Sequence, residues 1–205
     1  MATLDHDERR RRIAEVVVDV IASEGLDAAT VRRIAAAVGY STTVVTHYFA
    51  DKHDLLLSAY HIMSEIAASR FEKTYGRDPT DLVGYLISMS ALDNADLAYW
   101  RTFIAIWDRS LRDPAFAAEL HSWTDEALVR IQAFIKARNP QCTDTDRIAR
   151  RLFALIYGIS VQLVFDPKSW PLDVVRDTLA SEVEVLVGRD INPPVAAVHR
   201  GVARR

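Results

Sequence analysis

Two short helix-forming segments joined by one glycine constrain this chain more than any other feature of its sequence. The stretch TVRRIAAAVGYSTTVVTHYF occupies residues 30–49, and Gly39 separates the two segments. Thr30 and Ser41 precede the segments, and both are residue types that commonly cap helix N-termini. Gly39 can adopt the left-handed backbone conformation at low cost because it has no Cβ atom. The stretch therefore predicts two short helices packed at a steep angle across a tight turn, as in a helix-turn-helix unit.

The apolar residues of this stretch can all face one small core. They are Ile34, Ala35, Val38, Val45 and Tyr48, with Ala35 where the two helices approach most closely. A third helix is predicted upstream, because apolar residues recur there every three or four positions over residues 13–21. From this helix Ile13 and Val17 complete the core together with Phe49. The sequence thus predicts a three-helix unit.

Polar residues occupy the outer face of the second short helix. Short hydroxyl side chains can approach phosphate oxygens or base edges closely, and a threonine methyl group can contact a thymine methyl group in the major groove. A plain helical hairpin would more usually carry Glu, Lys and Gln on its solvated face, because threonine is a mediocre helix former. The sequence therefore predicts a DNA-binding surface. Its residues are Thr30, Arg32, Ser41, Thr42, Thr43, Thr46, His47, Tyr48 and Lys52.

Positive charge lies close to this surface. Lys52 begins the next predicted helix, where its ammonium group and the helix N-terminus can both meet a phosphate. Arg33 and the basic run at residues 9–12 add charge nearby, although such runs are usually only solvated. The net charge of -3 argues mildly against a dedicated nucleic-acid binder, but a local patch suffices if the acidic residues lie elsewhere.

The rest of the chain also has the pattern of helices. Glycine and proline number only seven each, too few for a sandwich or barrel, which needs a turn about every 8–12 residues. The predicted class is all-α with about nine helices. After Asp51 a long helix is predicted to end near Gly76, followed by helices at about 79–93, 95–111, 114–138, 144–165 and 171–188. Residues 189–205 lose this periodicity and are predicted to be a flexible tail.

Hydropathy and cysteine content narrow the class of protein further. No apolar run approaches the roughly 18 residues of a membrane span, and the charged N-terminus MATLDHDERRRR is unlike a secretory signal. Cys142 is the single cysteine, so the chain can form no internal disulfide and a cytoplasmic location is the default. The six histidines show no HxxxH or similar pairing. Neither a metal site nor a cofactor is predicted.

Residues 10–56, which include TVRRIAAAVGYSTTVVTHYFADKHDLL, resemble the N-terminal DNA-binding domain of TetR-family transcriptional regulators. The resemblance implies an all-helical homodimer with a C-terminal ligand-binding domain, more often a repressor than an activator. The family commonly carries an aromatic pair before the His-Phe step, where this chain has Thr46-His47-Tyr48-Phe49. In this departure the chain resembles the subgroup of the choline-responsive repressor of betaine synthesis.

Aromatic residues in the C-terminal region predict a small-molecule site. They are Trp100, Phe103 and Trp107 on one helix face, and Trp123 and Tyr157 on later helices. A cavity lined by aromatic rings and a few polar groups is typical of ligand sites. Ring faces could hold a cation such as a quaternary amine, with Asp96 or Asp108 as the counter-charge. Alternatively, these rings simply fill a large core.

The last two predicted helices, at about 144–165 and 171–188, have the pattern of a dimer interface. The first stripe is Ile148, Leu152, Leu155, Ile156, Ile159 and Leu163, and the second is Leu172, Val175, Leu179, Val183 and Leu186. Small residues on the first helix, Ala149 and Gly158, allow close approach. Two such helices from each of two chains would form a four-helix bundle. The stripes could instead be buried within one chain.

These patterns together predict a homodimeric, ligand-responsive regulator that binds double-stranded DNA. Residues 1–50 are predicted to form the DNA-binding domain, and residues 51–188 the ligand-binding and dimerisation domain. The helix at 51–75, at the start of the second domain, bridges the two. Two recognition helices would enter successive major grooves of a pseudo-palindromic operator, about 34–36 Å apart. A small-molecule effector would shift the bridging helix and disturb that spacing.

Two other classes of protein stay open as alternatives. One is an all-helical enzyme that turns over a small molecule, and the other is an architectural DNA binder that responds to no ligand. The sequence shows no close grouping of His, Asp and Ser, so no catalytic residue is predicted.

Overall fold

The computed structural model of the protein describes residues 2–188, apart from the side chains of residues 2–5 and 94. Within these limits the chain forms nine α-helices and two short 3-10 helices, with no strand, which confirms the all-α prediction. The helices are α1 (Ala2–Glu24), α2 (Val31–Val38), α3 (Thr42–Tyr48), α4 (Lys52–Arg77), α5 (Leu82–Ser88), α6 (Asn94–Ser110), α7 (Pro114–Arg138), α8 (Thr145–Phe165) and α9 (Leu172–Val187). The 3-10 helices are Leu26–Ala28 and Pro167–Ser169. The predicted flexible tail, residues 189–205, lies outside the described residues.

The ends of the short N-terminal helices are set by the residues that the sequence singles out. The Thr30 hydroxyl oxygen accepts a hydrogen bond from the Arg33 backbone N–H at 3.2 Å, and the Ser41 hydroxyl accepts one from Val44 at 3.3 Å. Gly39 ends α2 with φ of 78°, in the left-handed region. The helix caps and the turn between α2 and α3 are therefore confirmed.

The helix predicted at 79–93 is wrong in length, because α5 covers only Leu82–Ser88. Asp78 accepts hydrogen bonds at 2.9 and 2.8 Å from the backbone N–H and the hydroxyl of Thr80, which holds the chain in a turn around Pro79. Asp81 then caps α5 by accepting from the Gly84 backbone N–H at 2.8 Å. The helix starts three residues late because this side-chain turn competes with the first helical turn.

Helix α8 is the central core helix of the C-terminal region, where it packs against α7, α6 and α9. By length and mean hydropathy alone α8 could cross a membrane, although Arg147, Arg150 and Arg151 interrupt its apolar run. Its residues Leu152, Ile156 and Leu163 are nevertheless buried inside the protein. A core helix of a folded domain passes the same length test, so α8 is accounted for by packing.

The two stripes predicted as a dimer interface are mostly buried within the chain. Leu152 and Ile156 of α8, and Val175, Leu179 and Val183 of α9, have no exposed surface. Of the two alternatives, burial within one chain is correct for these residues. The opposite faces of α8 and α9 are the ones that remain available to a partner.

Helix α4 connects the N-terminal three-helix unit to the rest of the protein. Its 26 residues span about 39 Å. In its first half the Tyr60 hydroxyl donates a hydrogen bond of 2.8 Å to the Glu119 carbonyl of α7. A second link bypasses α4, because the buried Thr102 hydroxyl of α6 donates to the Val18 carbonyl of α1 at 3.1 Å. The buried apolar residues from both parts of the chain form one continuous core.

Candidate nucleic-acid interface and effector site

A fully buried apolar core holds the three N-terminal helices together. Ile13 and Val17 of α1, Ile34 of α2, Val45 of α3 and Phe49 just after it have no exposed surface. The predicted core is confirmed for these residues, while Tyr48 is only half-buried. Because Val45 anchors the inner face of α3, the polar residues of that helix must face solvent.

The outer face of α3 presents hydroxyl and imidazole groups to solvent. Thr42, Thr43 and His47 are all exposed. The Thr46 hydroxyl donates to the carbonyl oxygens of Thr42 and Thr43, both at 3.1 Å, which leaves its oxygen lone pairs free to accept. Thr46 is therefore suited to accept a hydrogen bond from a base amino group, and less suited to donate to a phosphate.

The two capping residues also lie on this side of the molecule. Thr30 and Ser41 are exposed, and each uses its hydroxyl oxygen to accept from a backbone N–H. The hydroxyl hydrogens of both residues can still donate to a phosphate oxygen. Both side chains can thus cap a helix and contact DNA at once.

An aromatic contact between α1 and α3 forms one edge of the surface. The His6 ring lies 4.6 Å from the Tyr48 ring and 5.9 Å from the His47 ring, measured between centroids. His47 and Tyr48 are themselves 5.3 Å apart. The sequence reasoning missed His6, since only the crossing of α1 over α3 brings it to this place.

Lys52 and Arg32 carry the positive charge of the predicted surface. Lys52 is exposed, and its ammonium group donates to the Asp27 carbonyl at 3.3 Å. Arg32 is exposed at the start of α2. The first turn of α4 is acidic, however, because Asp51 caps it and Asp54 follows. The Lys52 side chain, more than the α4 N-terminus, therefore provides the attraction for phosphate.

Two other basic residues of the N-terminal unit, Arg33 and Arg10, are used in contacts within the chain. Arg33 pairs with Glu24, with an N–O distance of 2.9 Å. Arg10 pairs with Asp54 at 3.3 Å and lies over the Phe49 ring. These arginines fix α1 against its neighbours, so they add less to the DNA-facing charge than the sequence suggests.

The five aromatic residues predicted to line an effector site lie together between α6, α7 and α8. Ring centroids are 4.9 Å apart for Trp100 and Tyr157, 4.9 Å for Phe103 and Trp123, and 5.7 Å for Trp107 and Tyr157. We call this group of five the aromatic cluster. That these residues bind a ligand stays a prediction.

A narrow cavity of about 20 Å³ lies at the α4 side of the aromatic cluster. Trp100, Trp123 and Tyr157 form part of its wall. Arg70 of α4 and Tyr99 of α6 also line it, and the sequence reasoning missed both. Tyr99 adjoins Trp100 in the sequence and could have been included, whereas Arg70 is brought in only by the packing of α4.

Several polar atoms of the aromatic cluster have no hydrogen-bond partner. The Trp100 indole N–H donates to the Met89 carbonyl at 2.9 Å, which makes it a structural contact. By contrast, the indole nitrogens of Trp107 and Trp123 and the hydroxyl of Tyr157 are buried without a partner in the described part of the chain. Buried polar groups are normally paired, so each of these requires an explanation.

Neither aspartate proposed as a counter-charge is free to act as one. Asp108 is exposed and pairs with Arg112. Asp96 pairs with Arg70 across the edge of the cavity. Burial raises the pKa of Asp96, although the charge of Arg70 and its hydrogen bond oppose this rise. The cavity wall therefore carries an arginine whose own counter-ion is Asp96.

A larger groove, of about 510 Å³, lies between α1 and α4 on the surface. Charged side chains from both helices line it, including Arg11 and Glu65, which pair with each other at 3.0 Å. Because its walls are charged and it opens to solvent, it lacks the apolar enclosure of a typical small-molecule site. The buried cavity is the better effector candidate despite its smaller volume.

A solvent-facing recognition helix on a helix-turn-helix unit, joined to a helical domain with a buried aromatic site, defines a ligand-responsive DNA-binding regulator. Comparison with protein families agrees with this class. Residues 13–59 match the model of bacterial regulatory proteins of the tetR family, and residues 80–188 match the C-terminal model of BetI-type transcriptional repressors. The chain belongs to the TetR family of transcriptional regulators, with a C-terminal domain of the BetI type.

Curated relatives support the same assignment. The HTH-type transcriptional regulator PksA of Bacillus subtilis is 27% identical over 195 residues, which cover 91% of this chain and 94% of PksA. The HTH-type transcriptional regulator BetI of Stenotrophomonas maltophilia is 31% identical over 116 residues, which cover 53% of this chain and 58% of that protein. These relatives are transcriptional regulators and not enzymes, so the enzyme alternative is set aside.

Solved structures share the fold. A transcriptional regulator of Rhodococcus sp. Rha1 superposes with a TM-score of 0.79 at 22% identity, covering 90% of this chain and 99% of that one. A transcriptional regulator of Saccharomonospora viridis, crystallised in complex with choline, superposes with a TM-score of 0.74 at 24% identity. This match covers 87% of this chain and 96% of that one.

Proposed function

We propose that this protein is a homodimeric repressor that binds a pseudo-palindromic operator and leaves it when a small molecule binds the C-terminal domain. The observation that carries the proposal is the outer face of α3, where Thr42, Thr43 and His47 stand exposed on a helix anchored by Val45. In this proposal residues 1–50 bind DNA, α4 bridges, and residues 51–188 bind the effector and the second protomer. A cytoplasmic location follows, since the protein must reach the DNA that it regulates.

The recognition surface is proposed to divide into base-reading and phosphate-binding residues. Thr43, Thr46 and His47 lie along the exposed side of α3 and are assigned to base edges in the major groove. Thr30, Arg32, Ser41, Thr42, Tyr48 and Lys52 surround them and are assigned to the phosphate backbone. The base readers would set the sequence preference, and the surrounding residues would supply most of the salt-dependent affinity.

The proposed dimer interface uses the faces of α8 and α9 that remain outside the core. Phe165 of α8 and Val185 of α9 are each 74% exposed, although both are apolar. Gly158 lies in the middle of α8, where a glycine costs about 1 kcal/mol relative to alanine. A Cβ atom at Gly158 would meet nothing within 4 Å, so no contact within the chain requires this glycine. Close approach of a second protomer would account for it.

Coupling between effector and DNA is proposed to run through α4. Lys52 at its start lies at the DNA-facing surface, while Ala67 and Arg70 in its second half line the cavity. A ligand that binds one position of α4 more tightly than another shifts the population between them. The Saccharomonospora viridis structure with choline supports a small organic molecule as the effector.

The DNA half of the proposal is tested by selecting sites from a random duplex library with the purified protein. We expect a pseudo-palindrome whose half-sites lie about one helical turn apart, and binding that weakens steeply with salt. The region upstream of the protein's own gene is the natural second probe. Thr43→Ala should weaken binding to the selected site, while Thr143→Ala, at an exposed threonine far from α3, should not. Binding that is neither salt-sensitive nor sequence-preferring would refute the proposal.

The dimer is tested by sedimentation velocity of Gly158→Trp. We expect this variant to be monomeric and folded, because the new ring has open space within its own chain but fills the proposed interface. Gly76→Trp is the matched control, since Gly76 is also an exposed helical glycine with open space around it. A dimeric Gly158→Trp variant would exclude this interface.

A further inference from the structure

The polar atoms that remain unpaired around the cavity all belong to groups that donate hydrogen bonds. Trp123 and Tyr157 both line the cavity and are only 4% and 5% exposed, and the indole N–H of the first and the hydroxyl of the second have no partner in the described residues. The Trp107 indole N–H and the Ser160 hydroxyl are also buried near them without a partner in the described residues. An indole N–H can only donate, so its missing partner has to be an acceptor. The described part of the chain offers none.

Two arginines lie near the cavity, and each pairs with a carboxylate, Arg70 with Asp96 and Arg130 with Glu126. Arg70 lines the cavity from α4, and its guanidinium carbon lies 5.5 Å from the centre of the Tyr99 ring. Arg130 of α7 pairs at 2.8 Å with the exposed Glu126, but one of its guanidinium nitrogens is buried and unpaired among the described residues. Burial raises the pKa of Tyr99, and the charges of both arginines act against that rise. Both guanidinium groups thus lie within electrostatic reach of the cavity wall.

Two ring faces at the cavity are already occupied, that of Tyr157 by Phe153 and that of Tyr99 by the Arg70 guanidinium. Phe153 stacks on Tyr157 with centroids 4.0 Å apart, and Tyr99 lies parallel to Phe103 at 6.3 Å. Aromatic sites for quaternary ammonium ions instead direct ring faces at the ligand. A quaternary ammonium group also has no acceptor atom for the unpaired donors. The arrangement of rings and donors therefore does not suit the cationic ligand that the sequence suggested.

We propose that the effector is a flat organic acid, whose anionic oxygen accepts hydrogen bonds from the Tyr157 hydroxyl and the Trp123 indole N–H. The apolar body of the acid lies against the aromatic cluster, and Arg70 and Arg130 favour its negative charge. This inference rests on the proposed function, because it takes the cavity to be the effector site. It goes further in naming the chemical class of the ligand and the groups that hold it.

The small volume of the cavity connects binding to movement. Sites for small organic ligands usually enclose about 300–1,000 Å³, whereas this cavity measures about 20 Å³. An acid can enter only if the walls of the cavity move apart, and Ala67 and Arg70 of α4 form one of these walls. A volume of this size can alternatively hold one water molecule, which would bond to the same donors. An acid in the cavity and a water molecule in the cavity lead to different expectations for variants of Tyr157.

The ligand class is tested by calorimetry with matched compounds that differ only in the charged group. The acids are benzoate, 2-naphthoate and anthracene-2-carboxylate, and their partners carry a trimethylammonium group on the same rings. We expect at least one acid to bind at least tenfold more tightly than its cationic partner, and to release the selected DNA. If no acid binds better than its partner, or if choline binds more tightly than the acids, the inference is overturned.

Replacement of single tyrosines separates an acid from a bound water. Tyr157→Phe removes an unpaired buried hydroxyl, so it should raise the midpoint of thermal unfolding by about 2–4 °C and weaken the best acid at least tenfold. The control Tyr60→Phe removes a hydroxyl that donates to the Glu119 carbonyl at 2.8 Å, so it should lower the midpoint and leave acid affinity unchanged. If Tyr157→Phe lowers the midpoint and leaves acid affinity unchanged, the hydroxyl serves a water and the inference fails.

The same experiments distinguish failure of the inference from failure of the proposed function. Anisotropy of the labelled selected DNA is measured first with the protein alone. Absence of sequence-preferring binding at that stage contradicts the proposed function. Intact DNA binding that no acid relieves contradicts only the identity of the effector.

Discussion

The DNA-facing surface and the aromatic cluster are built on opposite principles. On α3 the apolar side chains are buried and the polar ones are exposed, with each cap hydroxyl bonded to a backbone N–H. In the aromatic cluster four rings are buried and Trp107 is half-buried, and polar atoms of Trp107, Trp123 and Tyr157 are buried without partners among the described residues. The polar groups of the DNA-facing surface are therefore accessible to a partner that approaches from solvent. The aromatic cluster holds its polar groups inside, at a cost in stability that a ligand can relieve.

This difference separates the residues that stabilise the protein from those that bind its partners. Exposed threonines on α3 contact little of the protein, so they can change DNA binding without changing the fold. Rings such as Trp100 and Phe103 are core residues and candidate ligand contacts at once. Mutations on α3 should therefore change DNA binding without changing stability. Mutations in the aromatic cluster should change ligand binding and stability together.

The largest expected effect is on stability in the aromatic cluster. Phe103→Ala should lower the free energy of unfolding by about 3–5 kcal/mol, because Phe103 is fully buried and packs against the four other rings of the aromatic cluster. Thr43→Ala, on the exposed face of α3, should change it by no more than about 0.5 kcal/mol. Urea unfolding monitored by circular dichroism compares the two. Similar losses for both variants would remove the contrast between the regions.

A smaller effect is expected for His47→Ala, and on sequence preference alone. His47 is exposed, so the fold should be unchanged, while discrimination between the selected site and its base-substituted versions should fall by about 1–3 kcal/mol. Competition binding with single-base variants of the site measures this. Equal weakening on every sequence would instead place His47 at the phosphate backbone.

Lys52→Ala should weaken binding about equally on all sequences. Its ammonium group is exposed, and loss of one phosphate contact should reduce the salt dependence of affinity by about one unit per protomer. The bond from Lys52 to the Asp27 carbonyl is exposed and should contribute little to stability. A salt titration with specific and nonspecific DNA checks both statements. An unchanged slope would mean that Lys52 contacts no phosphate.

The smallest expected effect concerns pH and the N-terminal unit. A hydrogen bond from Arg33 holds the pKa of Glu24 below its ordinary value of 4.5. Because the pKa of Glu24 is lowered in the folded state, the Glu24–Arg33 pair stabilises the fold at pH values above the ordinary pKa. This contribution is lost as the pH falls through the folded-state pKa. Glu24→Gln should therefore be slightly less thermally stable than the wild type at pH 7. This difference in stability should become smaller below about pH 4. A constant difference between pH 7 and pH 3 would show that the pair contributes nothing through charge.

Much of the N-terminal unit could be predicted because its determinants lie within 20 residues of one another. Thr30, Gly39 and Ser41 act on backbone groups no more than three or four positions away, so local patterns reveal them. The aromatic residues of the C-terminal region were also found from helix periodicity. Sequence could not reveal which polar atoms of these rings lack partners, nor that Arg70 of α4, distant in the chain, lies beside them. The apolar stripes of α8 and α9 were ambiguous for a similar reason, because periodicity does not tell a core from an interface.

The central claim of this account is that the cavity and the recognition helices are coupled through α4. Ala67→Trp tests it most directly, because the new ring fills the cavity wall and should displace α4 as a ligand would. Ser69→Trp is the control, since Ser69 lies on the exposed side of the same helix. We measure the affinity of both folded variants for the selected DNA site. The account predicts at least a tenfold loss for Ala67→Trp and no loss for Ser69→Trp, whereas wild-type affinity for Ala67→Trp would contradict it.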